Sequence, residues 1–271
     1  MKGKSVRNVV SIIGIKKMKK SGLKGSKTVR TLSRLLSLFS TEREAIGIRE
    51  ASQVLQLPPA NIHRLFSSME EVGFLEKTVD RRYRIGERLF EIGALFPHNY
   101  PLRKITRPHA EELAQRFGAS VLLAIPSQRT PHLAVTIDHL QNWQSHFSVQ
   151  RLSLNVPIHC SSVGKIILAF SDPKKQEEIF KRIPLTRYTH RTIASPKTLR
   201  AELKKIKKEG FAVDRCEFYE NLFGVAAPLL RNGKIVGAIG LTDSVDRMNE
   251  KNYRKFVKAL MEKAVFISRQ L

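Results

Sequence analysis

Residues 48–85 read IREASQVLQLPPANIHRLFSSMEEVGFLEKTVDRRYRI, and this stretch decides the first half of the fold. Ile48, Ala51, Val54 and Leu55 recur at helical spacing and give one helix an apolar face. Leu57-Pro58-Pro59 ends that helix, because proline lacks a backbone donor and restrains the residue before it. Pro59 suits the first position of a second helix, where a missing N–H does no harm. Ile62, Leu65, Phe66, Met69 and Val72 form a second apolar stripe, and Gly73 follows as a stop. Phe74-Leu75-Glu76-Lys77 and Tyr83-Arg84-Ile85 alternate like strands, with Asp80-Arg81-Arg82 turning between them. Two short helices, a tight turn and a basic β-ribbon outline a winged helix-turn-helix, a motif that lays its second helix in the DNA major groove.

Pro59 opens the second helix, and Ala60, Asn61, His63, Arg64 and Ser67 fall on its outward side. Asparagine can pair bidentately with adenine, and arginine with guanine or a phosphate. These six residues, with Arg81 and Arg82 of the ribbon, are the expected DNA contacts. The plain alternative is that Asn61 caps a helix and Arg64 is a solvated charge.

The charge agrees with a polyanionic partner. Lys+Arg number 48 against 24 Asp+Glu, a net charge of +24. Such an excess is the electrostatic footprint of a nucleic-acid binder, though an acidic membrane or a ribosomal partner would also attract it. No acidic residue precedes Glu42. Residues 1–27 are expected to form a disordered basic arm, unless translation begins at Met18. The apolar run at residues 9–15 is short for a signal peptide and lacks a cleavage site. No run reaches the roughly 18 apolar residues of a membrane helix. A cytoplasmic protein without a membrane partner is expected. Two cysteines, Cys160 and Cys216, are too few for a disulfide framework or a structural zinc site.

The length suits two domains. The expected division is the arm at 1–27, a winged helix-turn-helix domain at 28–86, a linker helix at 87–101 and a second domain at 102–271. The first domain opens with a helix at 28–39. The linker helix runs over 87–96 and ends at Pro97, and another helix covers 102–117. From Ala119 the texture turns to mixed α and β. Strands are expected at 120–125, 132–137, 146–150 and 211–213, and helices at 163–170, from Asp172-Pro173, and at 198–208. Strands at 225–230 and 234–241 flank Asn232-Gly233, a strong hairpin signal. A closing helix spans 248–271. Adjacent hairpin strands with helices packed on one side give an α+β sheet domain.

At this point the chain resembles the isocitrate-lyase-regulator (IclR) family of bacterial transcription factors, over about residues 28–271. Leu57-Pro58-Pro59-Ala60-Asn61-Ile62-His63-Arg64-Leu65 is similar to the opening of its recognition helix, and Tyr83-Arg84-Ile85-Gly86 to its wing ending. Val156-Pro157-Ile158-His159-Cys160-Ser161-Ser162-Val163-Gly164-Lys165 resembles its most distinctive run. Gly210-Phe211-Ala212-Val213-Asp214, then Gly224-Val225-Ala226-Ala227-Pro228, follow in the family's order.

The resemblance implies a GAF-like effector-binding domain after the winged helix, and homodimers or homotetramers on palindromic operators. It also implies a small-molecule effector, an organic acid or an aromatic metabolite, that shifts DNA affinity and so controls metabolic, expectedly catabolic, genes. Carried over by motif, its pocket falls on Ser162, Val163, Asp214, Gly224, Gly240 and Thr242. Ser162 and Val163 sit near a helix start, where free N–H groups and the dipole attract a carboxylate. Thr242 can donate a hydroxyl hydrogen bond, and Asp214 can accept one or order a loop. The family commonly has cysteine at Gly224 and serine at Gly240, so both positions are expected to enlarge the pocket and remove polar contacts. Ala60 stands where it prefers serine, which weakens a helix cap by about 1 kcal/mol. Ordinary core and turn packing is the plain reading of the pocket positions.

Other chemistry finds little support. Ser162-Val163-Gly164-Lys165 fits S-x-x-K, but the Ser-Asp-Asn and Lys-Thr-Gly elements of penicillin-recognising enzymes are missing. Cys160 beside His159 suggests a thiolate pair, yet neighbours on a strand point to opposite faces. Metal-ligand spacing and a phosphate-binding glycine loop are absent, so no catalytic residues, metal or cofactor are expected. Trp143 either lines the pocket mouth or joins a satellite core. The leading reading is a ligand-responsive regulator and not an enzyme. The alternatives are an enzyme of the second domain tethered by a winged helix, and a non-specific nucleic-acid coat.

Overall fold

The structure, a computed structural model, describes residues 26–40, 43–141 and 155–271. Residues 1–25 of the expected arm, the strand expected at 146–150 and Trp143 lie outside the described residues. Two compact units divide the chain, one ending at Phe96 and the other beginning at Pro97.

In the first unit, α1 (Lys27–Leu36), α2 (Ile48–Leu55) and α3 (Pro59–Glu71) accompany a three-stranded sheet of β1 (Ala45–Ile46), β2 (Leu75–Lys77) and β3 (Tyr83–Ile85), ordered β1-β3-β2. Its core gathers Leu35, Ile46, Ala51, Leu55, Ile62, Phe66, Leu75 and Tyr83. Phe66 meets Tyr83 edge-on, with ring centroids 4.6 Å apart. α1 stops three residues before the expected end. Leu38 N donates to Leu35 O and Phe39 N to Leu36 O, so the last turn tightens and still delivers Leu38 to the core. α3 ends as expected at Gly73, with Gly73 N donating to Glu70 O and Phe74 N to Met69 O. That pair of bonds is the Schellman closure.

Two residues depart from the expected apolar stripes. Val54 is 37% exposed and Val72 56% exposed. Val54 lies about a quarter turn off the line of Ala51 and Leu55, and Val72 is the cap residue where the helix has already ended.

α4 (Glu87–Asn99) runs through Pro97, three residues beyond the expected stop, and α5 (Pro101–Phe117) begins after Tyr100. A proline near a helix end removes a single backbone bond, so the last turn can persist.

The second unit is a six-stranded antiparallel sheet, ordered β6-β5-β4-β9-β8-β7. Its strands are β4 (Ser120–Pro126), β5 (Leu133–Leu140), β6 (Asn155–Pro157), β7 (Ala212–Arg215), β8 (Leu222–Arg231) and β9 (Lys234–Ser244). Asn232 and Gly233 both have positive φ, the geometry of a tight hairpin turn between β8 and β9. The remaining helices are α6 (Ser162–Phe170), α7 (Pro173–Phe180), α8 (Pro196–Glu209) and α9 (Tyr253–Arg269). α9 starts later than expected because Asn249 and Asn252 bond the backbone around them and hold residues 247–252 in turns.

Helices cover both faces of the sheet, not one. α5 and α9 pack on Val121, Leu123, Val225 and Leu241, while α6, α7 and α8 pack on Ala124, Ala212, Ala226 and Ala238. The cause is legible in β4, where Ser120 to Ile125 are all buried: a run without polar alternation needs cover on each side.

Candidate functional site

The outward face of α3 is open. Pro59, Ala60, Asn61, His63 and Arg64 are exposed and Ser67 is half-buried. At 100° per residue Ala60, Arg64 and Ser67 fall on one line, with Asn61 and His63 about 80° to either side. Ile62, Phe66 and Met69 occupy the opposite, buried side. Pro58 is the N-cap and no side chain caps the helix. The missing serine at position 60 therefore costs no cap, because residue 60 already lies inside the first turn. Glu70 and Glu71 are exposed at the far end, so only the first turns of α3 suit a polyanion.

The ribbon residues are unequal. Arg81 sits exposed at the turn with φ +59°. Arg82 is tied inward: its guanidinium donates to Ala45 O and approaches Glu50 at 3.4 Å. Lys77, which the sequence reading left out, stands exposed at the base of the same ribbon.

In the second unit the six residues expected to line a pocket come together. Asp214, Gly224 and Thr242 are direct cross-strand partners on β7, β8 and β9, and Ser120 on β4 extends the row. Such partners share one face of a sheet. The start of α6 lies on that face. A Cβ at Gly224 would stand 3.1 Å from Ser162 Oγ and 3.1 Å from Thr242 Cγ2, and one at Gly240 would stand 2.8 Å from Val163 Cγ1. The two glycines thus do not widen the site as expected. Ser162 and Val163 already fill the space that a side chain would take.

Ser161 caps α6. Its hydroxyl accepts from Gly164 N at 3.1 Å and donates to Pro157 O at 2.7 Å. The N–H groups of Ser162 and Val163, at the first two helical positions, have no acceptor inside the helix. Thr242 Oγ1 is buried without a hydrogen-bond partner among the described residues. A buried hydroxyl in that state calls for a ligand or a water.

A charged cluster adjoins this row. Lys165 is fully buried, and its ammonium donates to Glu217 Oε1 at 2.5 Å and Val213 O at 2.7 Å, with Glu202 at 3.5 Å. Glu217 N donates to Asp214 Oδ1 at 2.7 Å. Burial, reinforced by the Glu217 charge, pushes the Asp214 carboxyl up to about 8. Burial also raises Glu217 against the pull of Lys165. One ammonium facing three carboxyls leaves Asp214 in its acid form near neutrality, able to donate as well as accept. The sequence singles out Lys165 only as the lysine of S-x-x-K and does not single out Glu217, so their pairing was not foreseen. The available signal was a single lysine inside the apolar run SVGKIILAF.

The expectation about His159 and Cys160 needs correcting in its geometry. They lie in the turn after β6, not on a strand. His159 Nε2 is 3.0 Å from Thr186 O, and burial, then the Asp214 charge, raises the Cys160 thiol above its ordinary value. A thiolate–imidazolium pair does not form. Both cysteines are free and buried. Among the described residues no cluster of His, Cys, Asp and Glu could hold a metal ion.

Comparison with known proteins bears on both units. Residues 21–78 match the family model "IclR helix-turn-helix domain", and residues 96–269 match "Bacterial transcriptional regulator IclR C-terminal". The chain is 26% identical over 233 residues to the transcriptional repressor IclR of Escherichia coli strain K12, covering 84% of this chain and 85% of that one. The crystal structure of the Thermotoga maritima IclR superposes with a TM-score of 0.68 at 28% identity, over 90% of this chain and 98% of that chain. An IclR homologue from Microbacterium hydrocarbonoxydans, crystallised with 4-hydroxybenzoate, superposes with a TM-score of 0.74 at 25% identity, again over 90% and 98%.

Proposed function

The chain belongs to the IclR family of bacterial transcriptional regulators, and from that premise we propose how its residues divide the work. The protein is a ligand-responsive regulator that binds DNA through its helix-turn-helix domain and a small molecule through its C-terminal domain. Asn61, His63, Arg64 and Ser67 read or brace the major groove, Pro59 and Ala60 bring the helix start to the backbone, and Arg81 holds a phosphate beside the wing. Arg82 acts chiefly as a strut between wing and α2. Base contacts of this kind specify, while phosphate contacts position.

The effector is a small carboxylic acid that also bears a hydroxyl or an aromatic ring. Its carboxylate meets the free N–H groups of Ser162 and Val163, its hydroxyl exchanges hydrogen bonds with Thr242 and acid-form Asp214, and Gly224 and Gly240 form the floor. The observation that carries this reading is the unpartnered Thr242 hydroxyl in the row beneath the start of α6. Ser162 and Val163 occupy that floor, so ligand entry requires the first turn of α6 to shift. Ligand then selects a different arrangement, and its differential affinity sets the coupling, typically about 1–3 kcal/mol in such systems.

The regulator is cytoplasmic, and it works as a homodimer or homotetramer on a palindromic operator. α4 supports self-association: it buries no residue, yet Phe90 is 76% exposed, Leu95 56% and Phe96 53%. A second copy of the same helix would cover these side chains. Catalysis is not part of the proposal, since the Lys165 ammonium that an S-x-x-K nucleophile needs is spent on Glu217 and Val213.

The test is a thermal-shift titration with small hydroxy acids and aromatic carboxylates, 4-hydroxybenzoate among them, against wild type and Thr242→Val. A compound that stabilises wild type and binds Thr242→Val several-fold more weakly supports the site, in keeping with about 1 kcal/mol for one hydrogen bond. Equal stabilisation of both proteins contradicts it.

A further inference from the structure

The second unit carries a charge excess that ligand sensing does not require. Residues 97–271 hold 29 Lys+Arg against 15 Asp+Glu. Among the helices of this unit α8, PKTLRAELKKIKKE, carries the largest excess for its length, six Lys+Arg against two Glu. Lys197, Lys204 and Lys208 are exposed. At 100° per residue they lie within about 40° of one another, on a line that rises roughly 16 Å. Among the described residues none of the three has an acidic partner.

The rest of the helix reinforces this line. Its two acids, Glu202 and Glu209, face a groove of about 220 Å³ along the β7 edge, and Glu202 also reaches Lys165. Arg200 and Lys207 flank the line: Lys207 lies over the Phe170 ring at 4.1 Å, while Arg200 lies over the Phe180 ring at 4.0 Å and is paired with Glu177. Their stems are thereby anchored. Like charges three and four residues apart destabilise a helix. Lys204, Lys207 and Lys208 bear that cost together, with no acid on their own side to relieve it, whereas Lys205 faces the groove with Glu202 and Glu209. A polyanion would relieve it.

We propose that the Lys197–Lys204–Lys208 face of α8 is a second DNA-contacting surface, binding the phosphate backbone without reading bases. Duplex DNA presents a phosphate every ~3.4 Å of axis on each strand, so a line of this length meets several of them. The surface is independent of base recognition by α3. The two depend on each other only through the shared duplex.

The experiment uses the full-length chain and a long duplex containing the operator with flanking sequence. It compares wild type, the triple variant Lys197→Ala/Lys204→Ala/Lys208→Ala, and a control with equal charge loss, Lys234→Ala/Lys251→Ala/Lys258→Ala. The readout is the slope of log affinity against log salt on operator and on scrambled duplex. Every phosphate deprived of its lysine lowers that slope by about 0.9. The expected result is a slope lower by about 2–3 in the triple variant on both duplexes, with the control close to wild type and all three proteins melting alike. An unchanged slope in the triple variant overturns the proposal, and so does an equal fall in the control, which would mark a diffuse charge effect. Loss of binding to phosphatidylserine vesicles with an unchanged DNA slope overturns it as well, by assigning the surface to lipid. Failure of wild type to prefer operator would count against α3 readout and leave the slope comparison on scrambled duplex intact.

Discussion

α3 and α6 carry the two candidate sites, and they are built to opposite specifications. α3 buries three of its thirteen residues and has no side-chain cap. α6 buries eight of its nine and is capped by Ser161. A helix that reads DNA must keep its working face in water until the duplex arrives, so its stability comes from one apolar stripe. A helix that senses a small molecule must exclude water from the site, so its working residues are also its packing residues. Substitutions on the outer face of α3 should therefore change binding and spare the fold. Substitutions at the start of α6 should change both.

The largest expected effect tests the α6 side of that contrast. Lys165→Met removes the ammonium facing buried Glu217 and Asp214, and breaking a buried pair in this way costs ~3–5 kcal/mol. Urea unfolding of the second unit measures it. A loss below about 1 kcal/mol would mean the cluster is better solvated than its burial indicates. Next in size is Gly240→Ser. Its Cβ would lie 2.8 Å from Val163 Cγ1, so α6 or its side chain must give way, at roughly 1–3 kcal/mol of overpacking. No change in stability would show that the start of α6 moves freely.

The pH dependence sharpens the same point. The folded-state pKa of Asp214 is raised to about 8, far above that of an unfolded aspartate. A raised pKa gives stability that is complete at low pH and lost as pH rises through the folded value. Buried His159 and half-buried His139 and His132 have lowered pKa values and act in the opposite direction, but only below the ordinary histidine range. Between about pH 7 and 8.5 the melting temperature should therefore fall in wild type and fall less in Asp214→Asn. Identical profiles would place the proton elsewhere.

The smallest expected effect lies in the wing. Arg81→Ala should weaken operator and scrambled duplex alike, with the salt slope lower by about 1. An effect confined to operator would move Arg81 from the backbone to the bases.

The contrast between the helices also explains what the sequence could reveal. α3 is amphipathic, so Ile62, Phe66 and Met69 announce its inner face, and Asn61 and Arg64 follow as the outer one. Gly73 and Asn232-Gly233 mark chain reversals for local steric reasons, and they were legible without tertiary knowledge. α6 has no polar side, so periodicity could not show which of its residues face the sheet. There only the resemblance to a family pointed to Ser162, Val163, Asp214, Gly224, Gly240 and Thr242, which the fold gathers on one face of the sheet. It could not show that Ser162 and Val163 fill the glycine floor, because that depends on how closely a helix packs on three strands. The Lys165–Glu217 ion pair spans 52 residues and joins a helix to a loop, which no local pattern encodes. The second helical layer was missed for a simpler reason: a continuous apolar strand indicates cover on both faces, and the strand at Ser120 was assigned to a sheet covered on one.

The most direct test of the division of labour is equilibrium binding by Asn61→Ala, on the operator and on a scrambled duplex, with melting followed in parallel. Exposed Asn61 should contribute to base discrimination and almost nothing to the fold, so operator affinity should drop by about 1–3 kcal/mol, scrambled affinity should hold, and the melting temperature should stay put. Equal losses on both duplexes, or a loss of stability, would contradict the assignment of α3 as the reading helix.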